Sequence, residues 1–196
     1  DEQAYRDYVY ENYLAIDDKY LEFFKDLSQK QGISYNFDGD YTCIDYMGAY
    51  LMHNTTFNYV MESYPRSEDP ILYFLNTARE GTARHYASAT TLWFRSLGIP
   101  ARYVQGYISY AQSNSTVVVN ALQSHSWTEI YIDGIGWYQV DLSINCLSKE
   151  MLMYMFYGTD LSQIEIDDYG KKVLTKIEAI PDETEKTFFI GDVFTY

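Results

Sequence analysis

The sequence predicts an α+β fold in which a helix starting near residue 83 packs on an antiparallel sheet. Three observations carry that expectation. Apolar and aromatic residues recur at helical spacing through much of the chain before Pro100. Runs rich in β-branched and aromatic side chains take over after it. A short glycine-bearing stretch, D-G-I-G at 133–136, then joins two of those runs as an antiparallel hairpin.

Taken in order, residues 4–30 place Tyr5, Tyr8, Val9 and Tyr13 on one helical face, then Leu21, Phe24 and Leu27 after an Asp17-Asp18 break. Two consecutive helices follow from that spacing, and Gly32 ends the second. C-I-D-Y-M-G-A-Y-L-M-H at 43–53 reads as a third helix, and T-T-F-N-Y-V-M at 55–61 as a strand. S-Y-P-R-S-E-D-P is a loop broken by Pro65 and Pro70. A short helix then runs from a cap at Asp69 to a stop at Gly81.

The helix of 82–97 is stopped by Gly98, and Pro100 prevents its continuation. A-R-Y-V-Q-G-Y-I-S-Y-A is a strand, Q-S-N-S a turn, and 117–119, 126–132 and 137–142 are further strands. K-K-V-L-T-K-I-E-A-I and T-F-F-I-G-D-V-F-T-Y read as strands in a tail. The expected organisation is an N-terminal helical segment at 1–42, a core at 43–148, and a C-terminal extension at 149–196 whose strands pack on the core.

Composition narrows the function. With a net charge of −14 and a pI near 4.4, the chain lacks the clustered cations that nucleic acid or an anionic membrane surface requires. No run approaches the length of a membrane span. The chain opens Asp1-Glu2-Gln3 without Met, as an excerpt or a mature segment does. Its 22 tyrosines suit a partner-facing or extracellular surface.

Cys43 and Cys146 show no C-x-x-C spacing and His53, His85 and His125 no H-x-x-x-H, so no metal or cofactor is expected. The two cysteines form one disulfide only if the protein is exported and their geometry allows it. D-D-Y-G at 167–170 is too short for a calcium loop. The sequons at Asn54 and Asn114 matter only in a eukaryotic secretory context.

The chemistry centres on E-G-T-A-R-H-Y-A-S-A-T-T-L-W-F-R-S-L-G-I-P-A-R-Y-V-Q-G-Y at 80–107. A helix start lowers a thiol pKa and offers N–H groups to a developing oxyanion, and Gly81 before it allows a substrate backbone close. A Ser or Cys at position 83 would be a candidate nucleophile, and the position holds alanine.

The second region, S-H-S-W-T-E-I-Y-I-D-G-I-G-W-Y-Q-V-D-L-S at 124–143, carries His125 and Asp141 near the open ends of the hairpin. A two-residue loop pairs 132 with 135 and puts Asp141 on the face opposite His125. A three-residue loop pairs 132 with 136 and makes Asp141 a diagonal neighbour on His125's own face. The glycines make the odd-length loop easy, and Asp141 then orients one imidazole nitrogen while the other acts as base. Each residue alone has a plainer role: a strand histidine is commonly structural, and Trp127 and Trp137 suit a core.

Together, in this order, the residues resemble a transglutaminase-like core domain of the papain-like cysteine enzymes, in particular exported bacterial members. The matching residues are Gly81, Tyr86-Ala87, Arg95, Gly98-Ile99-Pro100-Ala101-Arg102, Val104 and Gly106-Tyr107. A second block adds His125, Trp127, Glu129, Tyr131, Gly136-Trp137 and Asp141. These motifs cover 71–143; Y-V-Y-E-N-Y-L-A-I-D and N-T-T-F-N-Y-V-M resemble segments that precede the core in that family.

The resemblance implies a Cys-His-Asp triad with the cysteine position on Ala83, the base on His125 and the acid on Asp141. The implied chemistry is thioester formation at an amide carbonyl, resolved by water or an amine. The implied partner is a protein or peptide, with a cell-wall stem peptide as a further candidate, and the implied location is secreted or cell-surface.

Ala83 cannot form a thioester, so this chain is expected to be inactive. An intact base and acid beside a missing nucleophile favour a deliberate Cys→Ala change over a natural pseudoenzyme that holds peptides at the cell surface. Hydrolysis is mildly preferred over crosslinking, because no residue marks an amine site. Cys43 and Cys146 lack the flanking pattern to replace the nucleophile. His85, about 200° around the helix from Ala83, is expected to be structural, and so is Tyr59 as a packed strand aromatic.

Overall fold

The computed structural model of the protein describes residues 2–37, 39–59, 64–109, 116, 119, 123–146, 164–166, 172–174 and 189–190. Helix and sheet are mixed as expected. Helices α1 (Glu2–Asn12), α2 (Asp18–Gln31) and α3 (Cys43–Asn54) precede the two-residue strand β1 (Thr56–Phe57). Helix α4 (Pro70–Tyr73), continued by a π turn at Phe74–Ala78, leads through β2 (Glu80–Gly81) into α5 (Ala83–Ser96). Strands β3 (Ala101–Ile108), β4 (Ser124–Ile132) and β5 (Gly136–Val140) follow, then a 3-10 turn at Ile144–Cys146 and three short strands, β6 (Ile164–Ile166), β7 (Lys172–Leu174) and β8 (Phe189–Ile190).

Two compact units divide the chain. The first holds Asp1–Val104 with Trp127–Cys146, and the second Gln105–Ser126 with Leu147–Tyr196. Strand order in the larger sheet is β5-β4-β3-β8, while β6 and β7 form an antiparallel pair of their own.

In the first unit, α5 is the central element. One side meets the helices: Trp93, fully buried, stacks on Phe24 of α2 at 5.6 Å and meets Tyr50 of α3 edge-on at 5.5 Å. Its indole N–H donates to the Ser28 hydroxyl at 2.7 Å, which satisfies the one polar atom this burial would strand. The other side meets the sheet through hydroxyls. Thr90 and Thr91 lie 2.7 and 3.0 Å from Thr128 of β4, whose hydroxyl also donates to the Ala87 carbonyl at 3.1 Å. α5 ends where the sequence says: Gly98 takes φ +80, and the Ile99 N–H returns to the Phe94 carbonyl at 3.0 Å.

α1 covers the hairpin. Tyr5 lies 6.0 Å from Tyr131, Tyr13 lies 4.9 Å from Trp137, and the Trp137 indole donates to the Tyr5 hydroxyl at 2.8 Å. Arg95, a motif residue, ties the elements together. Its Nε donates to the Ala101 carbonyl at 2.9 Å and its Nη1 to that of Ala15 at 2.8 Å.

Several boundaries depart from the sequence reading. Asp69 does cap α4, accepting from the N–H groups of Ile71 and Leu72 at 3.0 and 3.1 Å. The segment closes at Arg79, in a left-handed conformation with φ +54, rather than at Gly81. Gly81 lies in β2, which pairs in parallel with β1. Of the strand expected at 55–61, β1 accounts for two residues, and 60–61 lie outside the described residues. β4 begins at Ser124, two residues before the expected start. The sequon at Asn114, the stretch at 167–170 and most of the expected tail strands also lie outside the described residues, as does all of the expected 117–119 strand but position 119.

Candidate active site

Residue 83 is the first residue of a 14-residue helix; the His85 N–H is held by the Thr82 carbonyl at 2.9 Å, which leaves those of Ala83 and Arg84 as the first-turn donors without helical acceptors. Ala83 is half-buried and carries nothing that these donors could activate. The approach to it is built by the parallel pair β1–β2: the Asn58 N–H donates to the Gly81 carbonyl at 2.8 Å, and the Thr56 N–H to that of Arg79 at 2.8 Å. A Cβ on Gly81 would stand 2.6 Å from Cε2 of the fully buried Phe74 and 3.1 Å from Cβ of His85. Glycine is required there by the packing of Phe74. The sequence reading, in which Gly81 lets a substrate backbone approach, did not contain that reason.

His85 has the structural place expected of it. Its Nδ1 accepts the Thr82 N–H at 3.0 Å and lies 3.1 Å from the Thr82 hydroxyl oxygen, while its ring lies 4.6 Å from that of Tyr64 and 5.8 Å from that of Phe74. Burial, and then the adjacent Arg84 cation, hold the imidazole below its ordinary pKa. The spacing T-x-x-H at 82–85, a capping-box position with histidine in place of Glu or Gln, was a readable signal for this role.

The hairpin takes the three-residue alternative. Ile132 pairs with Gly136 and Thr128 with Val140 around the loop Asp133-Gly134-Ile135. Positions 127, 129 and 131 therefore share a face with 137, 139 and 141. On that face Glu129 accepts from Arg102, with Oε2 at 2.7 Å from Nε and 2.5 Å from Nη2, and the Arg102 guanidinium stands 4.1 Å over the Trp137 ring. Arg102, Glu129 and Trp137 are thus a scaffold clasp.

Asp141 follows β5, and its Oδ1 accepts both the N–H of Ser143 at 3.0 Å and its hydroxyl at 2.6 Å. That fixes the carboxylate at the strand end. His125 belongs to the second unit, near the start of β4, and is only 4% exposed. Tyr59 packs its ring 5.1 Å from that of Phe57, in keeping with a packed aromatic.

Below Ala83 lies a cluster that no local pattern in the chain marks. Tyr86, one turn on, bonds through its hydroxyl to Thr55 at 2.8 Å, and both hydroxyls are hydrogen-bonding neighbours of the Cys146 thiol. Burial raises the Cys146 pKa, Asp141 adds to the rise, and the two hydroxyls oppose it. Burial also pushes Cys43 up, to about 11. Neither thiol has the lowered pKa of a nucleophile.

Both cysteines are free. Cys43 starts α3, while Cys146 sits by Thr55 just past its other end, so a helix length of about 18 Å keeps them from pairing. Among the described residues no cluster of His, Cys, Asp and Glu could hold a metal, and no helix is long and apolar enough to cross a membrane.

Comparison with known proteins adds the following. The family described as the transglutaminase-like superfamily matches residues 29–142. YebA of Bacillus subtilis (strain 168) is 33% identical over 99 residues, which is 47% of this chain and 13% of YebA. The periplasmic domain of TgpA from Pseudomonas aeruginosa superposes with a TM-score of 0.56 at 22% identity, covering 70% of this chain and 47% of the other. Its ethylmercury-bound form gives 0.55 at 20% identity, covering 70% and 49%. The chain thus spans about half of that TgpA chain and a small part of YebA, and the TgpA likeness shows the fold.

Proposed function

Because the chain belongs to the transglutaminase-like superfamily, through the match over residues 29–142, we propose that the start of α5 is the acyl-transfer centre of a Cys-His-Asp enzyme, in which Ala83 occupies the cysteine position, His125 is the base and Asp141 the acid that orients it. The observation that carries this reading is the hairpin register. With Ile132 opposite Gly136, Glu129 and Trp127 of β4 fall on the face of Asp141, the outcome of the three-residue loop that the triad reading calls for.

In the cysteine-containing form, His125 takes the thiol proton and the thiolate attacks an amide carbonyl. The first-turn N–H groups of α5 stabilise the oxyanion. The C–N bond then breaks as the imidazolium protonates the departing amine, which leaves a thioester. Water or a second amine, losing its proton to His125, attacks that thioester and releases the thiolate. Water as acceptor gives hydrolysis or deamidation, and an amine gives a crosslink. Substrates are protein or peptide amides, those of cell-wall stem peptides included, and no cofactor takes part. The site works outside the cytoplasm, a location supported by the TgpA domain of like fold being periplasmic.

The chain as it stands is inactive in this reaction, since neither Cys43 nor Cys146 is placed or activated to substitute. Ala83 itself favours a second reading, a peptide-binding module that keeps the cleft and dispenses with turnover. A cysteine codon at position 83 in the source gene supports the enzyme, and an alanine codon the module.

The test is the pH-dependent alkylation of an Ala83→Cys protein, read by mass spectrometry of the peptide so that Cys43 and Cys146 are counted separately. Rapid labelling that persists well below about pH 8.5, the ordinary thiol value, and weakens with His125→Ala is the expected result. Labelling like a free thiol, indifferent to His125→Ala, would overturn the enzyme reading.

A further inference from the structure

The turn from β2 into α5 is held by a side chain that can accept its hydrogen bond in one protonation state only. The Thr82 N–H donates to Nδ1 of His85 at 3.0 Å, and an imidazolium has no lone pair there to receive it. We propose that neutral His85 is the positioning residue of the candidate site: it fixes the first turn of α5 on which residue 83 sits, and the site loosens as His85 gains a proton. The inference rests on the reading of residue 83 as the nucleophile position.

The surroundings of the ring leave a proton poorly supported. On α5 the neighbouring charge is Arg84, which repels it. From β2 comes Glu80, whose carboxylate accepts from the Asn58 amide and whose backbone carbonyl accepts from the Tyr64 hydroxyl. From the segment before α4, the Tyr64 ring covers the imidazole, with Tyr73 of α4 packed 5.0 Å from Tyr64. Phe74 of the π turn completes the seat. Among the described residues no carboxylate is hydrogen-bonded to the imidazole. A loosened first turn tilts the N–H groups that lower a thiol pKa and receive an oxyanion, so reactivity at position 83 is linked to the charge on a residue that touches no substrate.

Two measurements test this. In the chain as it stands, nuclear magnetic resonance of labelled histidine and of the Thr82 amide across pH 4.5–8 should show both moving together, with a midpoint below 6.5. In the Ala83→Cys protein, His85→Leu should slow iodoacetamide labelling of residue 83 roughly fivefold, the equivalent of one lost cap. His85→Gln, whose side-chain oxygen can take the same N–H, should restore the rate to within about twofold and move the acid-side loss to lower pH, leaving the part that protonation of the thiolate itself imposes.

A Thr82 amide that stays still while His85 titrates would overturn the proposal, as would His85→Leu labelling at the parent rate where the parent labels faster than an ordinary thiol. If His85→Leu fails to fold, as read by circular dichroism, the pH profile of His85→Gln decides alone: the parent's acid-side loss, retained at the same pH, would overturn it. Ordinary thiol labelling in every variant, with Thr82 still following His85, would sink the acyl-transfer reading and leave the positioning role standing.

Discussion

At the scale of single residues, the approach to position 83 is set by packing contacts more than by reactive groups. Gly81 is the sharpest case. An alanine Cβ there would stand 2.6 Å from Cε2 and 2.9 Å from Cδ2 of Phe74, a ring with no exposed surface to yield into. Gly81→Ala should therefore cost about 1–3 kcal/mol, the usual range for overpacking a core, read as a lower denaturant midpoint at unchanged slope. Phe74→Leu added to Gly81→Ala should recover part of the loss, because the clash partner shrinks. Parent-like stability in Gly81→Ala would mean that the β2–α5 junction gives way freely, and the tight seat described for His85 would be wrong. The sequence showed a glycine before a helix and nothing of Phe74, seven residues away across a π turn. That is why the glycine was legible and its reason was not.

At the scale of elements, the three-residue hairpin loop is the feature on which the rest depends. Gly134 and Gly136 hold φ +76 and +103, conformations that only glycine adopts at low cost, with open space where a Cβ would lie. Gly134→Ala should thus cost about 1–2 kcal/mol through the backbone alone. Ile135→Ala, at a side chain 74% exposed, should stay within about 0.5 kcal/mol.

Deleting Ile135 is a different change. It leaves a two-residue loop and inverts the parity of β5, which takes Trp137 away from Tyr13, Tyr131 and Arg102. Loss of the near-ultraviolet tryptophan signal and of cooperative unfolding is expected. A deletion variant that kept both would show that the register is not what fixes the face of Asp141.

Both loop lengths were open in the sequence, since D-G-I-G serves either. The strand pairing chooses between them. Long helices were legible because each repeats its apolar spacing over several turns. β1, β2 and the π turn were not, because two-residue strands and a single wide turn have no period to detect.

At the scale of the whole molecule, the order of motifs is what singles out positions 83, 125 and 141 as the candidate site, since each block keeps its own flanking pattern along the chain. The Thr55–Tyr86–Cys146 cluster was unreadable for the converse reason: it brings together three segments that share no local pattern.

Charge is a property that the entire chain carries, and it leads to a last expectation. At a net charge of −14, the folded chain repels itself, and salt relieves that repulsion. Salt also weakens ion pairs, but those described number few. Lys30–Asp26, Lys19–Asp69 and Arg6–Asp133 each have at least one well-exposed partner, so they contribute little, while Arg102–Glu129 is shielded enough to be screened less. Repulsion should win. Raising ionic strength from about 10 mM to about 150 mM, which shortens the screening length from about 30 Å to about 8 Å, should raise the thermal midpoint at pH 7. The same change made near the pI of about 4.4, where net charge vanishes, should do little. A midpoint that fell with salt at pH 7 would mean that local ion pairs outweigh the acidic excess. The surface charge would then be structural, arranged in networks that hold the fold, where the composition alone reads it as a means of staying soluble.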